Sequence, residues 1–413
     1  MRRPSVLFLN RVYPPGRGAT GRVLRDLARS FAREGWQVTV ITTGPKAGTE
    51  RDGAVRIIRV KGPQKPGTAG YLALWAKILF TALKLPRTDL LVSMTDPPLL
   101  AAAGDLIKRV KKNRHVHWCQ DLYPDILPAL GTNLPEFAQG FFKRVAYGAM
   151  GRADKVIVIG RCMARHLTYN GLDPKQITVI PNWPDFELIR PPGKNGFNGA
   201  VTGQPVVDGS RAFDDQMKDG PKFRVLYAGN IGRAHPIDTI LGAAEILNEE
   251  HPEIEFLFVG DGPRYDEIAR RRDHLHLGNI RLLPFQPLGR LKPLMESGDV
   301  HLISMKEEAA GLLVPSKLYA ALAVHRPCIL IGPEHSETAK VLHDFGAGQV
   351  VAQGHPRELA DKIKEYRLNS DRWFAAHDGA SHAGSIFVPR ESINAWIERA
   401  WGVVEQDVRH TVL

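Results

Sequence analysis

Pro315, Ser316 and Lys317 place a rigid turn, a hydroxyl and an ammonium where an apolar run, Leu312 to Val314, gives way to Leu318, Ala321 and Leu322 at helical spacing. His325 and Pro327 then stop the helix. The first amides of a helix are unpaired donors and its dipole favours an anion, so a hydroxyl and a lysine at that end suit a phosphate. The alternative is an ordinary helix capped by Pro315 and Ser316, with Lys317 a solvated charge. Asn230, Gly232 and Arg233 follow another apolar run, FRVLYAG. Two cations and a helix end meeting at one place suit a pyrophosphate, to which arginine adds a bidentate fork. Asp121 closes the run HVHWCQD before Tyr123-Pro124 breaks it. Its carboxylate is placed to orient or deprotonate a hydroxyl, or simply to cap the next turn. Gly16, Gly18, Thr20 and Gly21 crowd the turn after SVLFLN; they are candidates to face a ligand or only to make the turn.

The runs that carry these residues read as strands, and the segments between them as helices. SVLFLN, a glycine-rich turn, a helix from about Thr20 to Glu34 and the strand QVTVITT open the series. DLLVSM, HVHWC, KVIVIG and ITVIPNW continue it, each preceded by a helical pattern. From Gly193 to Pro221 the pattern lapses into Gly, Asp and Asn without periodicity, a linker or excursion. A second alternating series then runs through FRVLYAG, EFLFVG, IRLLPF, VHLIS, CILIG and GQVV. Alternation of this kind predicts an α/β fold, with parallel sheets and ligands at the carboxyl ends of the strands. Residues 1–192 and 222–388 form the two expected domains, 193–221 the linker and 389–413 a terminal helix.

The 413 residues carry a formal charge of +11, which fits an anionic partner. The basic residues are dispersed and no aromatic and basic recognition module occurs, so nucleic acid is not expected. Cys119, Cys162 and Cys328 lack disulfide or zinc spacing, which points to a reducing, cytoplasmic compartment. Ser5 to Leu9 is too short for a signal-peptide core. Tyr71 to Leu85 is too short and too charged to span a bilayer. Trp75, Leu79, Phe80 and Leu83, flanked by lysines, read either as a face lying in a membrane surface or as a core crossover helix.

NRVYPPGRGATGR, HWCQDLYPDILPALG, VIPNWPD, LYAGNIGRAHPIDTILGAAEIL, FVGDGP, LLPFQPLGRL and VPSKLYAALAVHRPCIL together resemble the large retaining family four of GT-B glycosyltransferases. Within it, the chain is similar to the subgroup of bacterial capsule, O-antigen and colanic-acid-type exopolysaccharide synthesis. The resemblance implies two Rossmann-like domains facing a central cleft, with a nucleotide-sugar donor, expected to be a UDP-sugar, on the C-terminal domain. It implies a polyprenyl-diphosphate-linked acceptor on the N-terminal domain, at the inner face of the cytoplasmic membrane. By that mapping Arg233, Lys317 and Ser316 hold the diphosphate with Asn230 and Gly232, and Phe285 flanks the base. Gly16 and Gly18 lie near the phosphates and sugar, and Asp121 lies beside the reacting carbon. The family's pair of glutamates falls near Gly311 and Tyr319 here; Tyr319 is kept as a donor contact, and Glu307 and Glu308 lie just upstream. His235-Pro236 replaces a common Lys-Gly pair. No Asp-x-Asp motif occurs, so no cofactor and no essential metal is expected. In this fold the last helix, NAWIERAWGVV, crosses back onto the first domain; a dimer or membrane face is the alternative for its tryptophans. A nucleotide-sugar epimerase of the same fold and a catalytically silent nucleotide-sugar-binding partner are the other readings.

Overall fold

The computed structural model describes residues 3–16, 18–63, 67–189, 223–232 and 236–411. The first half contains β1 (Ser5–Leu9), α1 (Ala19–Arg33), β2 (Gln37–Gly44), β3 (Gly48–Asp52), β4 (Val55–Lys61), α2 (Thr68–Lys84) and β5 (Leu90–Ser93). It continues through α3 (Leu100–Lys111), β6 (Arg114–Cys119), α4 (Glu136–Gly151), β7 (Lys155–Val158), α5 (Arg161–Tyr169), β8 (Ile177–Val179) and α6 (Phe186–Ile189). The second half contains β9 (Phe223–Ala228), α7 (Asp238–Glu250), β10 (Ile254–Val259), α8 (Tyr265–His274), β11 (Ile280–Leu283), α9 (Leu291–Glu296) and β12 (Val300–Ser304). It ends with α10 (Lys317–Ala323), β13 (Cys328–Ile331), α11 (Glu337–Phe345), β14 (Gly348–Val351), α12 (Pro356–Leu368), α13 (Ser370–Ile386) and α14 (Pro389–Thr411).

β1 is buried along its whole length, as an unbroken apolar run in the middle of a parallel sheet must be. α1 buries Val23, Leu24, Leu27 and Phe31 on one stripe, and Phe31 meets Phe8 of β1 edge to face at 5.6 Å. The eight strands of the first sheet run in the order β3-β4-β2-β1-β5-β6-β7-β8, and the six of the second β11-β10-β9-β12-β13-β14. Every pairing is parallel except β3 with β4. That hairpin is absent from the sequence reading, and its two-residue loop depends on Gly53 at φ 60°. In the first sheet the chain moves one way from β1 to β2 and the other way to β5; in the second it reverses between β9 and β12. A crevice therefore opens at each reversal, outside the carboxyl ends of the strands.

α14 returns to the first domain. Trp396, fully buried, lies 4.8 Å from Trp118 of β6, and Trp401 lies 4.8 Å from Trp36. α2 is chiefly a core crossover helix. Leu74, Ile78, Leu79 and Ala82 are buried, Trp75 and Leu83 are half-buried, and of the four residues expected on a membrane face only Phe80 is exposed. That face turns inward because the sheet takes its apolar stripe, including Leu79 among Leu7, Leu9 and Ile41. The expected linker and Arg233 lie outside the described residues.

Candidate active site

α10 is short, seven residues, because Pro315 precedes it and His325, at φ 58°, ends it before Pro327. Ser316 occupies the N-cap position, yet its hydroxyl makes no capping bond. Lys317 extends back over the loop after β9. Its ammonium donates to the Asn230 carbonyl at 3.2 Å and lies 4.6 Å from the centre of the Tyr227 ring. Asn230 is exposed and Gly232 half-buried, so Lys317, Ser316 and the β9 loop share one rim of the second sheet's crevice. Phe285, in the loop after β11, is 42% exposed, and Glu308 is exposed on the single turn before α10.

The segment leading into α10 crosses to the other domain. Leu313 forms an antiparallel bridge with Asp121, and the Leu122 N–H donates to the Leu312 carbonyl at 2.8 Å. Asp121, just past the carboxyl end of β6, is thereby joined to the segment that delivers Lys317. The Asp121 N–H also reaches Thr95 Oγ1 at 3.4 Å. Asp121 as a whole is half-buried. Burial of the carboxyl group, with Asp96 nearby, raises it to about 6. A cavity of about 10 Å³, room for one water, is lined by Asp121, Thr95, His117 and Tyr123. Behind it, Ser93 Oγ lies 2.8 Å from His115 Nε2 and 2.9 Å from His117 Nδ1. Burial lowers these imidazoles to about 3 and about 4, so they form a neutral buried support.

Gly16 and Gly18 are exposed at the start of α1. That 15-residue helix has no side-chain cap and no acidic residue in its first turn, which leaves its N-terminal amides facing the crevice after β1. Gly21 has a packing role, since a Cβ there would lie 2.8 Å from Val12 Cγ1.

Tyr319, expected as a donor contact, is turned into the core. It is 1% exposed, stacks edge to face on Phe387 at 5.5 Å and belongs to the core shared by the domains. Gly311, at the other expected glutamate position, has φ 74° and packs on the Cys162 carbonyl of α5, a backbone that a glutamate would strain. Sequence reasoning did not single out Arg11, Asp96 or Tyr123 for the site, and it read Tyr71 only as a helix start. The rule that pointed to Asp121, a polar residue just past a strand's carboxyl end, applies equally to Arg11 and Asp96.

Residues 18–183 match the family described as glycosyl transferase 4-like domain, and residues 210–372 match glycosyl transferases group 1. The chain belongs to these glycosyltransferases. The glycosyltransferase is 26% identical to the probable glycosyltransferase WbjE of Pseudomonas aeruginosa, over 69% of this chain and 68% of that one. It is 25% identical to the putative colanic acid biosynthesis glycosyl transferase WcaI of Escherichia coli K12, over 81% and 84%. Its fold matches sucrose-phosphate synthase from Thermosynechococcus elongatus with a TM-score of 0.75 and 16% identity, covering 98% of this chain and 100% of that one. It also matches Anabaena HepE in complex with UDP and glucose, with a TM-score of 0.69 and 18% identity over 96% and 99%. The fold is thus GT-B, two α/β domains with mostly parallel sheets.

Proposed function

We propose that the enzyme moves a sugar, an N-acetylated or deoxy hexose, from a UDP-sugar onto a polyprenyl-diphosphate-linked saccharide in cell-surface polysaccharide synthesis, with retention of configuration. The observation that carries this reading is the pairing of Leu312 and Leu313 with Leu122 and Asp121, which joins a cation-bearing helix start to a carboxylate across the cleft. HepE, a structural neighbour, is complexed with UDP-glucose, and WcaI is assigned to colanic acid biosynthesis; both support the donor and pathway class.

In this mechanism Lys317 and Ser316, with Asn230, Gly232 and Arg233, hold the diphosphate. Its developing charge is stabilised as it departs. Gly16, Gly18 and the amides of α1 face the phosphates from the other domain, Phe285 flanks the base, and Glu308 reaches the donor from the turn above. Asp121 orients the incoming hydroxyl and takes up its proton. The lysine, arginine and helix termini take the place of a divalent ion, so turnover persists in EDTA. Peripheral attachment to the inner membrane surface is supported by exposed Leu72 and Phe80 near Lys77 and Lys84 on α2, and by exposed Phe137 and Phe141 near Arg144 on α4.

A second reading, a silent nucleotide-sugar-binding partner, is favoured by Gly311 and Tyr319 standing at the glutamate positions. Incubation with UDP-sugars and extracted membrane glycolipid, followed by NMR of the products, separates the readings. Acceptor-dependent release of UDP with the anomeric configuration retained is expected. UDP-sugar binding without turnover favours the silent partner, and an altered sugar formed without acceptor would mark an epimerase.

A further inference from the structure

Four side chains near Asp121 converge from loops and a helix start of the first domain. Arg11 follows β1, Asp96 follows β5, Tyr123 follows β6 and Tyr71 lies near the start of α2. β1, β5 and β6 are neighbours in the sheet, so the loops leaving their carboxyl ends share one rim. Arg11 Nε donates to Asp96 Oδ1 at 2.7 Å, and the Arg11 N–H donates to the Asp96 carbonyl at 2.6 Å. The guanidinium lies 5.8 Å from the centre of the Tyr71 ring. The Asp121 N–H, donating to Thr95 Oγ1, ties the same loop to the Asp121 backbone. Tyr123 feels the charges of Asp121, Asp96 and Arg11 and the Tyr71 phenol. None of the four is sealed: the Arg11 and Asp96 side chains are 17% and 20% exposed, and both tyrosines are half-buried.

A guanidinium already bound to a carboxylate has little net charge left for a phosphate. The pair still presents N–H donors and carboxylate oxygens side by side, which matches vicinal hydroxyls. The tyrosines add apolar ring faces for C–H groups and hydroxyls for hydrogen bonds. We propose that Arg11, Tyr71, Asp96 and Tyr123 form the acceptor subsite for a neutral sugar ring and present one of its hydroxyls to Asp121. The proposal rests on the transferase reading and deepens it. It places the saccharide end of the acceptor in the recess and the lipid phosphate outside it. The acceptor therefore already carries at least one sugar, and the reaction that supplies it attaches the first sugar to the lipid phosphate.

Saturation-transfer NMR on the full chain with UDP present, using methyl glycosides of neutral hexoses and glucose 1-phosphate as probes, tests the subsite. At least one neutral glycoside binds, and Tyr71→Ala and Arg11→Met each weaken it about tenfold. Calorimetric UDP affinity stays at the wild-type value in both variants. Glucose 1-phosphate binds no better than the neutral glycosides. Unchanged glycoside binding in Tyr71→Ala, which leaves the ion pair in place, would overturn the proposal. So would a preference for the phosphate, or no glycoside binding by a wild-type chain that binds UDP. A wild-type chain that fails to bind UDP would instead remove the transferase reading on which the subsite rests.

Discussion

Asp121 and Lys317 are assigned different tasks, and their substitutions separate them. Lys317→Ala should weaken UDP binding by about 1.5 to 3 kcal/mol, the worth of a charge-assisted contact, as read by calorimetry; an unchanged affinity would take Lys317 out of the site. Asp121→Asn should leave that affinity alone and lower turnover by about a hundredfold or more. The Asp121 carboxyl is raised to about 6, so a wild-type enzyme that needs the carboxylate should lose turnover as the pH falls through that value. The asparagine variant should lack that limb of the profile. The positions of Asp121 and Lys317 were legible, Asp121 because it follows an apolar run that could only be a strand and Lys317 because Pro315 and Ser316 announce a helix start. Tyr319 was not: its place in the motif says nothing of which side of a short helix faces the cleft, and the core took it. Arg11 and Asp96 pair across 85 positions of sequence, a contact that no local pattern reveals.

The elements that fix these residues are held by contacts between the halves of the chain. Glu337 of α11 accepts from Arg161 Nε at 2.8 Å and from the Cys162 N–H at 3.2 Å, which fastens α5 to the second domain. α14 completes the core of the first domain through Trp396, packed on Trp118 of β6, the strand just before Asp121. Trp396→Ala should cost about 3 to 5 kcal/mol of stability, the range for emptying a large buried site. Denaturant unfolding measures it, and a loss under 1 kcal/mol would mean that α14 is not part of that core. The alternation of strands and helices was readable throughout, since buried parallel strands are unbroken apolar runs. The β3-β4 hairpin was missed because its outer strand, Gly48–Asp52, is mostly exposed and polar and carries no apolar signature.

At the scale of the molecule, buried neutral histidines tie stability to pH. His115, His117 and His301 are lowered to about 3, about 4 and about 3 by burial, below the ordinary value of 6.5. Between those values the unfolded chain binds protons that the folded chain refuses. Their contribution is full above pH 6.5 and is lost as the pH falls, by up to about 1.4 kcal/mol per unit for each group. The raised Asp26 and Asp121 carboxyls oppose this, while the lowered Asp52, Asp105, Asp125 and Asp154 carboxyls add to it. Unfolding free energy should therefore fall from pH 6.5 toward pH 4, and a flat profile would mean that the imidazoles are not sealed. The two-sheet architecture was legible because each sheet repeats one local unit. The docking of the sheets was not, since it depends on partners far apart in sequence, the backbone of Asp121 and Leu313 and the side chains of Arg161 and Glu337. The central claim, that this cleft holds a nucleoside diphosphate on lysine, arginine and helix ends, is met most directly by calorimetry of UDP, GDP, ADP and dTDP in EDTA. Selective binding of UDP without metal is the predicted result, and absence of binding by all four would contradict the account.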